Sequence, residues 1–362
     1  MDFSCEPNHS SNLQIRSKEP FNAEPPVDSL VAHEYTPENL VYCRNHGPVP
    51  TLDDTYTLKV DGKVKKELSF PVAALESQFQ SHDVVAALQC AGNRRNTMAL
   101  KKEVSGVGWD DGVVCNAKWS GVYLRDVLLK AGVDPSEKAG FVCFESDFTS
   151  TQDDSFYGGS ISLARAMDKD ADVLLATHMN GVRLSYDRGF PLRVMVPGYC
   201  GARWVKWLHR ITVSDQESPN YYQKKDYKVL PPDVDSRERA SKAWDSVPPV
   251  ELMPVNSAVA SAEIRPTSNI CAKGYALGDV VGVKVSVNKG RSWAWAKITY
   301  QEGKWSWKLW EIEMPIDEGG QADGKVEVWS AAVSRDNETQ PLDCTWNYRG
   351  VCYNGPGVKV VG

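Results

Sequence analysis

The sequence predicts two domains: an α+β domain over residues 28–235 and, after a linker at 236–254, an all-β immunoglobulin-like sandwich over 255–362. Three observations lead there. Before residue 230 short strands alternate with helical spacing. Pro231-Pro232, Pro248-Pro249 and Pro254 then punctuate a charged stretch. Beyond it come about 100 residues of short alternating strands. At 362 residues the chain is long enough for two sizeable cores.

Residues 1–27 read as an extended polar arm, because Pro20, Pro25 and Pro26 exclude regular helix. Residues 56–64 read as a hairpin turning at Asp61-Gly62. Residues 84–89 form an apolar run, the pattern of a buried strand, and 122–131 have helical spacing. In the second domain 280–287 alternates, 288–290 is a turn and 292–298 alternates again, followed by a strand over 326–331. Trp305, Trp307 and Trp310 are expected mostly in a core.

A net charge of -6 and a pI near 5.6 exclude a general nucleic-acid or anionic-membrane binder. Nine cysteines without a CxxC pair fit reduced intracellular thiols better than a disulfide framework or zinc site. No stretch approaches the ~20 apolar residues of a membrane span. The N-terminus lacks a signal-peptide core, and residues 360–362 are not a peroxisomal address.

Chemistry concentrates at Cys90, in Cys90-Ala91-Gly92-Asn93-Arg94-Arg95. The strand before it delivers the thiol to a pocket rim, and the two arginines would stabilise a thiolate and attract anions. A soft thiolate in a positive field suits a metal that handles an oxyanion. This block resembles the molybdenum-cysteine motif of eukaryotic sulfite oxidases and assimilatory nitrate reductases. Arg44-Asn45-His46-Gly47-Pro48, Gly189-Phe190-Pro191-Leu192-Arg193, Gly201-Ala202-Arg203-Trp204-Val205-Lys206 and Trp346-Asn347-Tyr348-Arg349-Gly350 follow the family order. The likeness spans residues 17–353 and is nearest to the haem-free plant-type sulfite oxidase.

That resemblance implies a sulfite-oxidase-type mixed α/β molybdopterin domain followed by a dimerisation sandwich. It implies a molybdenum-molybdopterin cofactor ligated by Cys90, with no haem in this chain. Tyr42, Cys43, Arg44, Asn45, His46, Asp147, Arg188, Arg193, Trp204, Val205 and Lys206 would contact the pterin. Arg44, Arg95, Arg349 and Trp109 would bind sulfite, and Tyr227, Asp226 and Arg95 would be catalytic. Sulfite would leave as sulfate by oxygen-atom transfer. The implied partners are a second copy of the chain and either oxygen or a separate cytochrome as electron acceptor, with no nucleic acid or membrane. Cytoplasm, peroxisome (as for plant relatives) or a processed mitochondrial form are the compartments left open.

Four residues depart from the family pattern. Arg188 replaces a usual histidine, Ser105 a usual lysine or arginine, and Thr177-His178 a usual Tyr-Glu; His178 is expected to pack or hydrogen-bond rather than ligate. The alternatives are the molybdenum domain of a nitrate reductase and an inactive dimeric binding protein of the same fold. Tyr227 with Arg349 argues for sulfite, and Cys90 with the arginines argues against loss of activity.

Overall fold

The structure is a computed structural model that describes all residues except 5, 54, 317–320 and 323. Two sheets build the first part of the chain. In one, Ser81–Gln89 pairs antiparallel with Val114–Tyr123, which pairs with Leu174–Met179. Arg193–Met195 and Val182–Arg183 also pair with Leu174–Met179. The other runs Leu68–Pro71, Thr57–Gly62, Arg210–Ser214, Phe141–Ser146, Tyr157–Ser162, with Thr57–Gly62 parallel to Arg210–Ser214. Both sheets feed one core that also buries Trp109, Trp119 and Trp204. Ser81–Gln89 alternates at its start and is buried on both faces at its end, so it carries Cys90 from the sheet edge inward.

Several expectations shift in three dimensions. The helix is Leu124–Lys130, because Val122 and Tyr123 finish the preceding strand. Asp61-Gly62 is not the hairpin turn. The Asp61 carboxylate accepts from Arg210 Nε (2.8 Å) and Thr212 Oγ1 (2.7 Å), which keeps these residues in the strand and moves the turn to 63–67. The N-terminal arm is a hairpin, Gln14–Ser17 with Asn22–Glu24, rather than an extended strap. Its Ala23 exchanges backbone hydrogen bonds with Cys43 (3.0 and 2.8 Å). Buried Glu24 accepts from the backbone N–H groups of Asp110 (2.8 Å) and Gly112 (2.9 Å).

In the later part, a sheet of Asn256–Ile264, Asn269–Leu277, Lys308–Pro315 and Lys297–Tyr300 packs on one built from Val280–Ser286 and Lys325–Ser334. The expected strand over 292–298 is split. Ala294–Trp295 pairs with Val280–Ser286 and Lys297–Tyr300 with Lys308–Pro315, so the chain changes sheet at Ala296. Trp307 and Trp310 are buried, whereas Trp305 sits where the two parts meet. Its carbonyl accepts from Ala87 N (2.9 Å) and its indole donates to Asp172 (2.7 Å). The stretch expected as a linker carries the helix Arg237–Ala243. It then binds the first part through Val250 N to Tyr227 O (2.7 Å) and Met253 N to Gly198 O (3.0 Å).

The turn after Cys90 is bolted to the second part of the chain. Arg94 takes a left-handed conformation (φ 66°) and is 1% exposed. Its guanidinium donates to Asn256 Oδ1 (2.9 Å), Ser257 O (3.0 Å) and Gly355 O (2.9 Å), and pairs with Asp111 (3.2 Å). Asn93 adds a bond to Tyr275 Oη (3.0 Å). Arg94 is thus committed to structure and does not serve the anion field expected of it. Arg94→Ala should cost roughly 3–5 kcal/mol, because it strands Asp111 and several buried acceptors. Guanidinium unfolding measures this, and a loss below about 1 kcal/mol would remove Arg94 as the bolt.

Candidate active site

Cys90 is buried, its sulfur accepting from Gly92 N (3.4 Å), and it lines a pocket. The segment after the arm hairpin contributes Tyr42, Arg44, Asn45 and His46 to the walls. Arg188, Arg193, Trp204 and Lys206 line it from two further segments, bridged where Arg193 pairs with Lys206. Tyr227 completes the lining. These side chains, 185 residues apart in sequence at the extremes, are the core of the expected site.

The pocket is cationic and poorly solvated: Arg44, Arg188, Arg193 and Lys206 face one carboxylate, Asp187. Burial pushes Arg193 down to about 10 and Lys206 down to about 7; Tyr42 opposes the first shift and Asp187 the second, while Arg188 adds to both. Arg193 donates to Arg188 O (3.0 Å) and Trp204 O (3.1 Å), but its buried Nε has no partner among the described residues. Lys206 Nζ donates to Asn45 Oδ1 and to Asp187 O (3.1 Å). Arg188 is held by Tyr42 O (2.6 Å), Cys43 Sγ (3.2 Å) and Glu38 (3.1 Å), so this departure from the usual histidine braces the wall. An unpartnered guanidinium N–H, depressed buried cations and a thiol at the rim together fit an elongated anionic cofactor carrying a thiophilic metal.

Beside the pocket lies a second cluster. Arg95 donates from Nε to Arg349 O (2.9 Å) and from Nη1 to Val107 O (2.7 Å). A Cβ on Gly92, Gly106 or Gly350 would come within 2.7–2.9 Å of its side chain, so three glycines from three segments form its sleeve. Burial pushes Arg95 down to about 10, with Cys90 opposing and Arg349 and Arg44 reinforcing the shift. Arg349 pairs with Asp226 (2.9 Å) and donates to Ser105 Oγ (3.0 Å). Asp226, expected to be catalytic, therefore has its carboxylate on Arg349. Ser105, in place of a cation, becomes a hydrogen-bond acceptor.

The remaining expected residues lie elsewhere. Asp147 is exposed on His209 (3.2 Å), away from the pocket lining. Cys43 and Val205 are buried behind the wall, Val205 O accepting from Val194 N (2.9 Å). Trp109 is fully buried with its Nε1 unpartnered. His178 bonds Thr177 (2.9 Å) and lies 3.4 Å from Glu76 outside the pocket, as a hydrogen-bonding residue. Sequence reasoning missed Asn22, whose Oδ1 holds Arg44 (3.2 Å) and the Asn45 N–H (2.9 Å). It also missed Tyr157 and Asp187 in the lining. Asp187 adjoins Arg188 in a motif already in view, whereas nothing local marks Asn22.

The fold and this pocket define a molybdopterin-binding oxidoreductase. Residues 46–222 match the family described as oxidoreductase molybdopterin binding domain, and 248–356 match the Mo-co oxidoreductase dimerisation domain. The chain is 40% identical over 369 residues to the sulfite oxidase of Gallus gallus, covering 96% of this chain and 78% of that one. It is 37% identical to the sulfite oxidase of Arabidopsis thaliana, covering 97% and 94%. The sulfane dehydrogenase SoxCD of Paracoccus pantotrophus shares the fold (TM-score 0.78, 24% identity, 98% and 88% covered). The chain belongs to the sulfite oxidase family, and its cofactor is molybdenum-molybdopterin. No described helix is long and apolar enough to cross a membrane.

Lys206 yields a pH prediction. Its folded value of about 7 lies below the ordinary 10.5, so between them the unfolded chain holds a proton that the folded one lacks. The stability of cofactor-free protein should rise as pH increases across that interval, and Lys206→Met should flatten the rise. Parallel curves for the two proteins in thermal unfolding would remove Lys206 as the cause.

Proposed function

We propose that this chain oxidises sulfite to sulfate and passes the electrons to oxygen or to a separate cytochrome. The observation that carries this is one pocket lined by the Cys90 thiol, Arg44 and the Tyr227 phenol, with Arg95 bonded to the Arg349 carbonyl (2.9 Å) beside it. When bound, the molybdenum-pterin supplies two-electron redox chemistry and oxygen-atom transfer, with Cys90 as the protein ligand. Arg193, Lys206, Arg188 and Asn45 would hold its pterin end.

The residues divide the remaining work. Guanidinium forks hold a small oxyanion in fixed orientation and offset its repulsion from an electron-rich centre. Low solvation strengthens that attraction. Tyr227 is pushed up to about 12 by burial, with Cys90 and Asp226 adding to the rise, so at neutral pH it is a phenol and can donate. Asp226 and Ser105 set the position of Arg349.

Sulfite-dependent oxygen uptake by molybdenum-loaded protein, with ferricyanide as a second acceptor, tests the reading. Turnover with either supports it; silence with both, alongside nitrate reduction by a reduced dye, would replace it. Cys90→Ser should abolish turnover while the fold persists by circular dichroism, and full activity would dismiss the ligand assignment. Arg349→Met should raise the sulfite KM about 10- to 100-fold, the scale of a lost charge-assisted hydrogen bond. An unchanged KM would take Arg349 out of the anion site.

A further inference from the structure

We propose that His46 is a positioning residue that fixes the direction of the Tyr227 hydroxyl proton, making Tyr227 a donor to the oxyanion. This rests on the sulfite reading and adds to it the hydrogen-bond order of the site. Two contacts define the ring. His46 Nδ1 lies 3.3 Å from Arg44 Nη2, and His46 Nε2 lies 2.8 Å from Tyr227 Oη.

A guanidinium can only donate, so Nδ1 must present a lone pair. The ring is then neutral and carries its one proton on Nε2. That proton points at Tyr227 Oη and occupies an oxygen lone pair. The phenolic hydrogen must therefore point away from His46. Flipping the ring would place carbon atoms at both contacts and forfeit both bonds. Packing opposes the flip: Tyr222 lies 3.9 Å away between centroids and Tyr157 lies 5.5 Å away on the same ring.

The surroundings enforce the neutral form. Burial holds His46 well below its ordinary value, and Arg44, Arg349, Lys206 and Arg95 lower it further. Tyr227 lines the same pocket as Cys90 and has no other side-chain hydrogen-bond partner among the described residues. Its hydroxyl hydrogen is left for an acceptor in the pocket, and an oxyanion is one. The order Arg44, His46, Tyr227, anion runs donor to acceptor at each step. Any ligand offering only an N–H or O–H toward Tyr227 is disfavoured, because the phenol's remaining accepting capacity is reduced.

Two measurements test this. Long-range ¹H–¹⁵N spectra of histidine-labelled, cofactor-loaded protein report each ring's tautomer. There are 6 histidines, and the signal lost in His46→Gln assigns His46. The neutral Nε2–H form near neutral pH supports the proposal; an Nδ1–H form or an imidazolium overturns it.

The second is a double-mutant cycle on sulfite kcat, each variant normalised to its molybdenum content. His46→Phe should lose about tenfold, and His46→Gln, which keeps an N–H near the Nε2 position, should recover much of that. With Tyr227→Phe in place, His46→Phe should cost nothing further. Independent, multiplying losses overturn the proposal. If His46→Phe fails to load molybdenum, the tautomer of the wild-type ring decides alone. Wild-type protein that lacks sulfite turnover defeats the functional reading; the Nδ1–H ring in protein that does oxidise sulfite defeats only this proposal.

Discussion

Two adjacent guanidinium groups, buried from one turn on separate sets of partners, organise this protein. Arg94 reaches into the second part of the chain and is consumed there by carbonyls, an amide and Asp111. Arg95 is held instead by the carbonyls of Arg349 and Val107, inside a sleeve of glycines. The left-handed backbone at Arg94 lets neighbouring long side chains reach these separate partners. The Cys90 thiol, the anion cluster and the contact between the two parts of the chain are therefore set by one short segment. A shift of the later sheets would be transmitted to Cys90 through Arg94 and to Arg95 through Arg349 and Gly350.

Electrostatics explains why an acidic chain can be an anion enzyme. The charge of -6 describes the whole molecule, whereas the pocket gathers four cations against one carboxylate. Burying Lys206 and Arg193 costs free energy, visible in their lowered values. An anionic cofactor offsets that cost, so cofactor binding and the charge state of the wall are linked. The same desolvation keeps His46 neutral and Tyr227 protonated, and their hydrogen-bond order depends on both.

Much of the site was legible in sequence because its residues fall in short blocks that resemble the motifs of the sulfite oxidase family. Cys90, Arg44, His46, Arg193, Lys206 and Tyr227 were named this way, and all line one pocket. What escaped was of two kinds. Asn22 supports Arg44 and Asn45 across the fold, and an asparagine in a polar arm carries no local signal of that use. Asp147 was named from a gapped match, but its side chain turns to His209. Secondary structure failed where tertiary bonds outweighed local chemistry, as at Asp61-Gly62, where Arg210 and Thr212 hold a turn-prone pair in a strand.

By itself the sequence determined the class of fold and, through short blocks that resemble the family, the expected thiol ligand and the set of cations, because periodicity and short motifs are local properties. Only the tertiary structure decided how each polar group is spent. It separated Arg94 from Arg95, placed Asp226 on Arg349 rather than leaving it free, and set His46 between a guanidinium and a phenol. Residue type sets which groups can donate or accept. Which partner each one meets depends on distances between segments far apart in the chain, and those exist only once the core has packed.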